Sequence, residues 1–288
     1  MKTIIVTGTS TGIGFSAAVA LARAGHDVFA TMRAPGPSPE LQTLAEKERL
    51  LITVTSLDVD DDASVRSAIE GVLKSRGRID VLVNNAGIAG LGSIEEQPLD
   101  QFRRMMETNF FGVLRCMKAV LPGMRAQRSG RIVNVTSVAG KLAFPGQSAY
   151  AASKFALEAV SEALAAEVRP FNVRVSIVEP GVILTPIFGK GTDVSAAIYP
   201  GPRRMNAIFG AALEQPVPAS VVGEQIRDIV ADDSWQLRYP AGPAAAGILA
   251  WRASMTDEQF LSIGALDDDA WCEFMQTNLG LNVRPHLA

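Results

Sequence analysis

Tyr150 and Lys154 are four residues apart at the start of a helical pattern, so both side chains point the same way. A free tyrosine ionises near pH ~10, too high for a base near neutrality, but an ammonium a few Å away favours the phenolate. The pair is therefore a tunable acid/base. Ser137, 13 residues upstream, follows an apolar run, where its hydroxyl could hold a substrate oxygen. A Tyr-x-x-x-Lys spacing by itself is usually a helix surface pair, so its meaning depends on the rest of the chain.

A second candidate lies in TGTSTGIG, residues 7–14, which satisfies two incompatible signatures. Read as G-x-S-x-G, it presents Ser10 as a nucleophile on a strained elbow; read as G-x-x-x-G-x-G, it is a glycine turn that cradles a dinucleotide's phosphates. An elbow of the hydrolase type follows several strands, whereas only seven residues precede Gly8. A general base is also scarce, because the histidines are His26, in a turn, and His286, near the C-terminus. Gly8, Gly12 and Gly14 at a strand-to-helix turn leave backbone N–H groups and the positive helix end free to meet a pyrophosphate. Ser10, Thr11 and Ile13 lie within the same turn. The phosphate reading is the better one.

These residues need a scaffold, and short β-branched runs supply it. Residues 4–6, 28–30, 51–54, 81–83, 132–135 and 173–178 are apolar on both faces, as in a parallel sheet covered by helices, and 237–242 reads as a last strand. Helical patterns occupy 13–23, 63–75, 99–125, 150–169 and 219–231. The alternation predicts an α/β fold, a single Rossmann-type doubly wound parallel sheet with helices on both faces. Residues 34–39, APGPSP, read as a surface connection, and 186–218 as a substrate loop. The expected organisation is one catalytic domain over 1–242 with a helical extension, 243–288, packed on it.

Taken together, the motifs resemble the classical short-chain dehydrogenases/reductases. TGTSTGIG matches that family's TGxxxGxG, YAASK its YxxxK and PGVILTP, residues 180–186, its PGxxxT. NNAG closes the fourth strand, NVTSVAG contains Ser137, and Asn109 falls where the family has its asparagine. The resemblance covers about residues 3–186, more loosely to about 242. It implies that Tyr150 exchanges a proton with the substrate oxygen, Ser137 orients that oxygen, and Lys154 binds the nicotinamide ribose. Asn109 would hold a water of the proton relay. Asp58 and Val59 would meet the adenine, although Asp58 with Asp60, Asp61 and Asp62 also suits a helix cap. Asn85, Ala86, Gly87, Pro180 and Gly181 would line the cofactor, and Ile183 and Thr185 its carboxamide. Homodimers or homotetramers are common in the family.

The second strand ends in Met32 and Arg33, where an NAD enzyme carries an acidic residue for the ribose hydroxyls. A guanidinium there suits a 2′-phosphate, so NADP(H) is expected before NAD(H). Ile187, Phe188, Ile198, Tyr199, Met205, Ile208 and Phe209 are candidates to line a pocket for a hydrophobic carbonyl or alcohol, or are ordinary packing residues. Trp271, Phe274, Met275 and Leu279 recur at helical spacing behind Asp267–Asp269, as in a capped amphipathic helix over the pocket or a subunit edge.

Composition narrows the classes further. A net charge of −3 without a basic run gives no surface for nucleic acid. No stretch approaches the ~20 apolar residues of a membrane span. Cys116 and Cys272, far apart and without metal-site spacing, read as core residues of a cytoplasmic protein, and no metal site is expected. The expected function is an NADP(H)-dependent oxidoreductase acting on a hydrophobic alcohol or carbonyl. The alternatives are a non-catalytic NADPH sensor and a serine hydrolase using Ser10.

Overall fold

The computed structural model describes residues 1–34, 36, 39–187 and 194–287. The apolar runs become seven strands: β1 (Thr3–Thr7), β2 (Asp27–Met32), β3 (Ile52–Ser56), β4 (Val81–Asn84), β5 (Gly130–Val135), β6 (Val173–Pro180) and β7 (Arg238–Ala241). They form one parallel sheet in the order β3-β2-β1-β4-β5-β6-β7. The order reverses between β1 and β4, which is where doubly wound sheets open a ligand crevice. Alternation along each strand sends side chains to two cores. Ile4, Val6, Val83 and Val133 join α1 (Gly12–Arg23) and α8 (Ala219–Ala231) on one face. Ile5, Leu82 and Ile132 meet α3 (Asp62–Arg76), α5 (Gly112–Gln127) and α6 (Ser148–Val168) on the other. β3, expected to be apolar on both faces, is only half-buried, because it is an edge strand.

The long helical pattern at 99–125 is interrupted. α4 (Leu99–Met106) passes through a π-helical turn, Glu107–Phe111, before α5 begins. Such a turn adds a residue to the helix and redirects the side chains within it, here including Asn109.

Two helices are not evident in the sequence. α2 (Pro39–Glu48) follows the Pro/Gly-rich connection, of which residues 35, 37 and 38 lie outside the described residues, and α7 (Pro200–Leu213) occupies part of the expected loop at 186–218. In both, a proline that reads as a turn signal sits at the first helical position, where its missing N–H costs nothing. Burial of Met205, Ala207 and Ile208 then holds α7 in place.

After β7 come α9 (Ala245–Ala253), α10 (Asp257–Ser262) and α11 (Asp268–Leu279). Asp267 caps α11 by accepting the Ala270 N–H at 2.9 Å. Trp271 and Met275 of α11 share a buried cluster with Met205 and Ile208 of α7. Arg204 locks the two helices together through Asp268 Oδ1 at 2.8 Å and the Leu266 carbonyl at 2.7 Å. The C-terminal residues thus brace α7. Cys116 and Cys272 are buried and unpaired, and burial pushes the Cys116 thiol up to about 12. Among the described residues no helix is long and apolar enough to cross a membrane.

A buried polar thread crosses the second core. Asn84 on β4 donates to Asn134 Oδ1 on β5 at 2.8 Å, and Asn134 donates to Ser161 Oγ on α6 at 2.8 Å. Asn134→Ala leaves Asn84 Nδ2 and Ser161 Oγ each short of one buried hydrogen bond. Urea unfolding should show a loss of about 2–3 kcal/mol.

Candidate active site

A cavity of about 420 Å3 lies at the C-terminal edge of the sheet, over the point where β1 and β4 diverge. Its floor is the turn from β1 into α1. Gly8 has φ +70° and Gly12 has φ +63°, conformations that side chains resist. A Cβ at Gly8 would stand 2.7 Å from Ala86 Cα, and one at Gly14 would stand 2.3 Å from the Gly8 carbonyl oxygen. Thr7 Oγ1 accepts the N–H groups of Asn85 and Ala86 at 3.0 Å each, while Asn85 Nδ2 donates to the Thr7 and Gly8 carbonyls at 3.0 Å each. TGTSTGIG and NNAG are therefore one structural unit, and its backbone faces the cavity at the start of α1.

One wall carries the acid/base candidates. Ser137 ends the segment after β5, and Tyr150 and Lys154 stand one turn apart on α6. Lys154 Nζ donates to the Val135 carbonyl at 3.0 Å and lies 5.8 Å from the Tyr150 ring centre. Burial lowers its pKa to about 8, against an upward pull from Glu158. Burial likewise raises the Tyr150 phenol, and its hydrogen bond with Ser137 offsets part of the rise. The spacing of the pair suggests a phenol depressed by the neighbouring ammonium; here burial keeps it above its ordinary value. Ser137 Oγ accepts the Ala139 N–H at 3.1 Å and donates to the Pro180 carbonyl at 3.3 Å, a long bond that leaves its proton easy to redirect.

Beside this cavity is a second, smaller one of about 140 Å3, lined mainly by apolar groups such as Leu142, Phe144, Met205, Ile208 and Phe209. Ser137 and Tyr150 line both. Of the expected pocket residues, Ile187, Met205, Ile208 and Phe209 do line this cavity. Ile198 and Tyr199 do not; they are exposed, the Ile198 N–H bonding Glu96 Oε1 at 2.7 Å and the Tyr199 hydroxyl bonding Glu95. Phe188 lies outside the described residues. α9 contributes Ile248 directly, and Trp251 stacks on Phe144 with ring centres 6.1 Å apart. The sequence offers no signal for Leu142, Phe144 or Ile248, because their shared wall exists only once α7 and α9 have packed.

Ser10, Thr11, Ile13, Arg33, Asp58, Val59, Gly87, Gly181, Ile183 and Thr185 all line the larger cavity. Asp58 is not the helix cap. Asp61 caps α3 by accepting the Ser64 N–H at 2.8 Å, while Asp58 Oδ1 accepts the Asp60 N–H at 3.1 Å. Gly14 and Asn109 are not at the wall. Asn109 is fully buried; its Oδ1 accepts the Ile88 N–H at 2.8 Å, and its Nδ2 donates to the Ile88 carbonyl at 2.9 Å and Ser153 Oγ at 3.0 Å. It holds the segment after β4 against α6. Arg104 and Thr108, on α4 and the π turn, also face the cavity, and no motif in the sequence points to them. His26, in the turn before β2, is half-buried, and burial lowers its pKa. His286 pairs with Glu214 at 2.7 Å. Neither histidine lines the cavity that holds Ser10.

The family model for short chain dehydrogenase matches residues 2–194. The chain belongs to this family. It is 43% identical over 178 residues to a 3-ketodihydrosphingosine reductase of Bacteroides thetaiotaomicron, an alignment covering 62% of each protein. It is 42% identical over 205 residues to the retinol dehydrogenase 8 of Bos taurus, covering 69% of this chain and 65% of the relative. The chain thus spans somewhat under two thirds of the length of either. A short-chain dehydrogenase from Streptomyces avermitilis superposes with a TM-score of 0.78 at 34% identity, covering 92% of this chain and 98% of that one.

A buried carboxyl lies just below the crevice. Glu179, at the end of β6, is buried, and its Oε1 has no hydrogen-bond partner. Burial and the neighbouring Glu158 push its carboxyl from 4.5 up to about 7, with Arg238 pulling the other way. Because the folded form binds this proton more tightly, Glu179 contributes stability that is complete below about pH 4.5 and is lost as pH rises through about 7. Glu179→Gln cannot titrate. Its stability relative to the parent, measured by urea unfolding, should therefore rise between pH 5 and pH 8, and a pH-independent difference would contradict the assignment.

Proposed function

We propose that this chain is an NADP(H)-dependent oxidoreductase that interconverts a hydrophobic secondary alcohol and ketone, or an alcohol and aldehyde. One observation carries the reading: Ser137 and Tyr150 stand where the large cavity and the small apolar cavity meet. A substrate seated in the apolar cavity would present its oxygen to both hydroxyls, with its carbon turned toward the larger cavity.

The larger cavity fits a dinucleotide. Bare backbone at Gly8 and Gly12 opens a cradle at the N-terminus of α1, which favours phosphate. When bound, the dinucleotide supplies or accepts the hydride. The chain's own residues manage the proton. Tyr150 donates it to the carbonyl oxygen in reduction and removes it from the hydroxyl in oxidation. Ser137 gives up its long bond to Pro180 and holds the same oxygen. Lys154 keeps one donor on Val135 and has two left for ribose hydroxyls. Asn109 acts as a positioning residue, fixing Ile88 beside this wall.

Arg33 supports the NADP(H) preference. It is exposed at the cavity, and its guanidinium makes no ion pair with a described residue, whereas Met32 is buried in the core and offers no ribose acceptor. The apolar lining supports a lipophilic substrate, in keeping with relatives named for a ketosphingosine and a retinol. Residues 1–242 form the catalytic unit in this reading, and 243–288 an extension that completes the apolar cavity through Ile248 and Trp251. Exposed Phe111 and Phe155 support self-association into homodimers or homotetramers, and two unpaired cysteines suit the cytoplasm. A hydrolase at Ser10 has no histidine at hand, and a mere sensor has no use for Tyr150 at the junction of two cavities.

Tyr150→Phe should keep nucleotide binding and lose at least ~100-fold in turnover of a hydrophobic ketone or aldehyde. Near-normal turnover would sink the mechanism. Arg33→Ala should lower kcat/KM with NADPH by roughly tenfold and leave NADH nearly unchanged, the loss of one charge-assisted phosphate contact. An unchanged ratio would place Arg33 in solvent, away from the nucleotide.

A further inference from the structure

The catalytic wall rests on a buried charge cluster that the proton transfer does not itself use. Glu158 follows Lys154 by one turn of α6, and both are buried. Its carboxylate is fixed from two sides: Oε1 accepts the Thr136 hydroxyl at 2.7 Å, and Oε2 accepts Arg238 Nε at 3.0 Å. Thr136 lies between Val135, whose carbonyl takes the Lys154 ammonium, and Ser137. Gly140 makes room for this arrangement, since a Cβ there would meet Glu158 Cγ at 2.9 Å and the Lys154 carbonyl oxygen at 3.1 Å.

We propose that Glu158 is a positioning residue of the acid/base site, its carboxylate clamped by Thr136 and Arg238 so as to hold a positive charge on Lys154 inside the protein. The inference rests on the reading of Tyr150 and Lys154 as the proton-handling pair. Burial works against that charge, and Glu158 is the group that opposes the shift. The other charged groups around the cluster divide by element. On α6, Glu162 takes the outer nitrogen of Arg238 at 2.5 Å. From β6, Glu179 approaches Arg238 at 3.9 Å, and its raised pKa means that near neutrality its carboxyl is only partly charged. From β7 comes Arg238 itself, and Lys141, beyond the turn at Val138–Gly140, is exposed. Glu158 is thus ion-paired with Arg238 and stands one turn from Lys154 on the same face of α6, close enough for its charge to act on the ammonium without touching it.

Loss of the Glu158 charge must let Lys154 surrender its proton at a lower pH, because the favourable partner of the ammonium is gone while its burial remains. Glu158→Gln keeps the size of the side chain and an oxygen for Thr136. In NADPH-dependent reduction of decanal, its basic limb of kcat/KM should move about one unit toward acid. Glu158→Asp should keep the limb near that of the parent, since charge rather than length sets it. An unmoved limb in Glu158→Gln, or equal shifts in the two variants, would overturn the proposal.

A second measurement does not depend on turnover. Urea unfolding of the parent, Glu158→Gln, Lys154→Met and the double variant gives the coupling between the two side chains. That coupling should be favourable at pH 6–7 and shrink above about pH 8, where folded Lys154 becomes neutral. A coupling that is absent, or the same at every pH, would make Glu158 a packing residue. If Glu158→Gln does not fold, Thr136→Val loosens the same clamp with every charge retained, and should shift the limb in the same direction by less. A parent enzyme that reduces no carbonyl would refute the functional reading, while the stability cycle would still decide the role of Glu158.

Discussion

Everything at this site depends on the parting of two neighbouring parallel strands. β1 feeds α1 to one face of the sheet, and the chain after β4 leaves for the other, so the carboxyl ends of the two strands have no helix between them. A crevice opened in this way would expose backbone groups, and Thr7 and Asn85 close that gap. Their hydrogen bonds tie the first turn to the segment after β4, and the tie requires glycine at positions 8 and 14, where any Cβ would strike the opposing backbone. One geometric need therefore accounts for two motifs lying about 70 residues apart in the chain.

Charge at the crevice is governed by burial more than by pairing. Desolvation moves Tyr150 up, Lys154 down and Glu179 up, each away from its charged form. Lys154 and Glu179 are thereby brought toward neutrality, while Tyr150 is held in its protonated form. The partners that resist desolvation are set behind the wall: Glu158 under Lys154, and Arg238 spanning Glu158 and Glu162 at the sheet's far edge. β7 adds little to the core, and its chief contribution is to deliver that arginine.

The C-terminal third of the chain shapes the apolar cavity. α7 contributes Met205, Ile208 and Phe209; α11 supports it from behind through Trp271, Met275 and the Arg204–Asp268 pair. α9 adds Ile248 and stacks Trp251 on Phe144. The Ser137 and Tyr150 hydroxyls are thus held by the sheet and α6, while the apolar cavity beside them is walled by a separate layer of helices. Changes in that layer can alter what is bound without moving Ser137 or Tyr150.

Local chemistry makes much of this legible in the amino-acid sequence alone. β-branched runs of three to six residues must be strands when both faces are covered, and Gly8, Gly12 and Gly14 after the first of them mark a turn open to phosphate by their lack of side chains. Tyr150 and Lys154 share a helix face by spacing alone. What spacing does not carry is which long-range neighbour each polar group will find. Asn109 is bound to Ile88, because a π turn inside the expected helix redirects it. α7 cannot be read from a segment opening with Pro-Gly-Pro, since its stability comes from burial against α11 rather than from propensity. The apolar cavity and the Glu158–Arg238 pair are likewise decided only by tertiary packing. Their residues come from elements far apart in sequence, and contact and desolvation, which set their chemistry, have no meaning until the chain has folded.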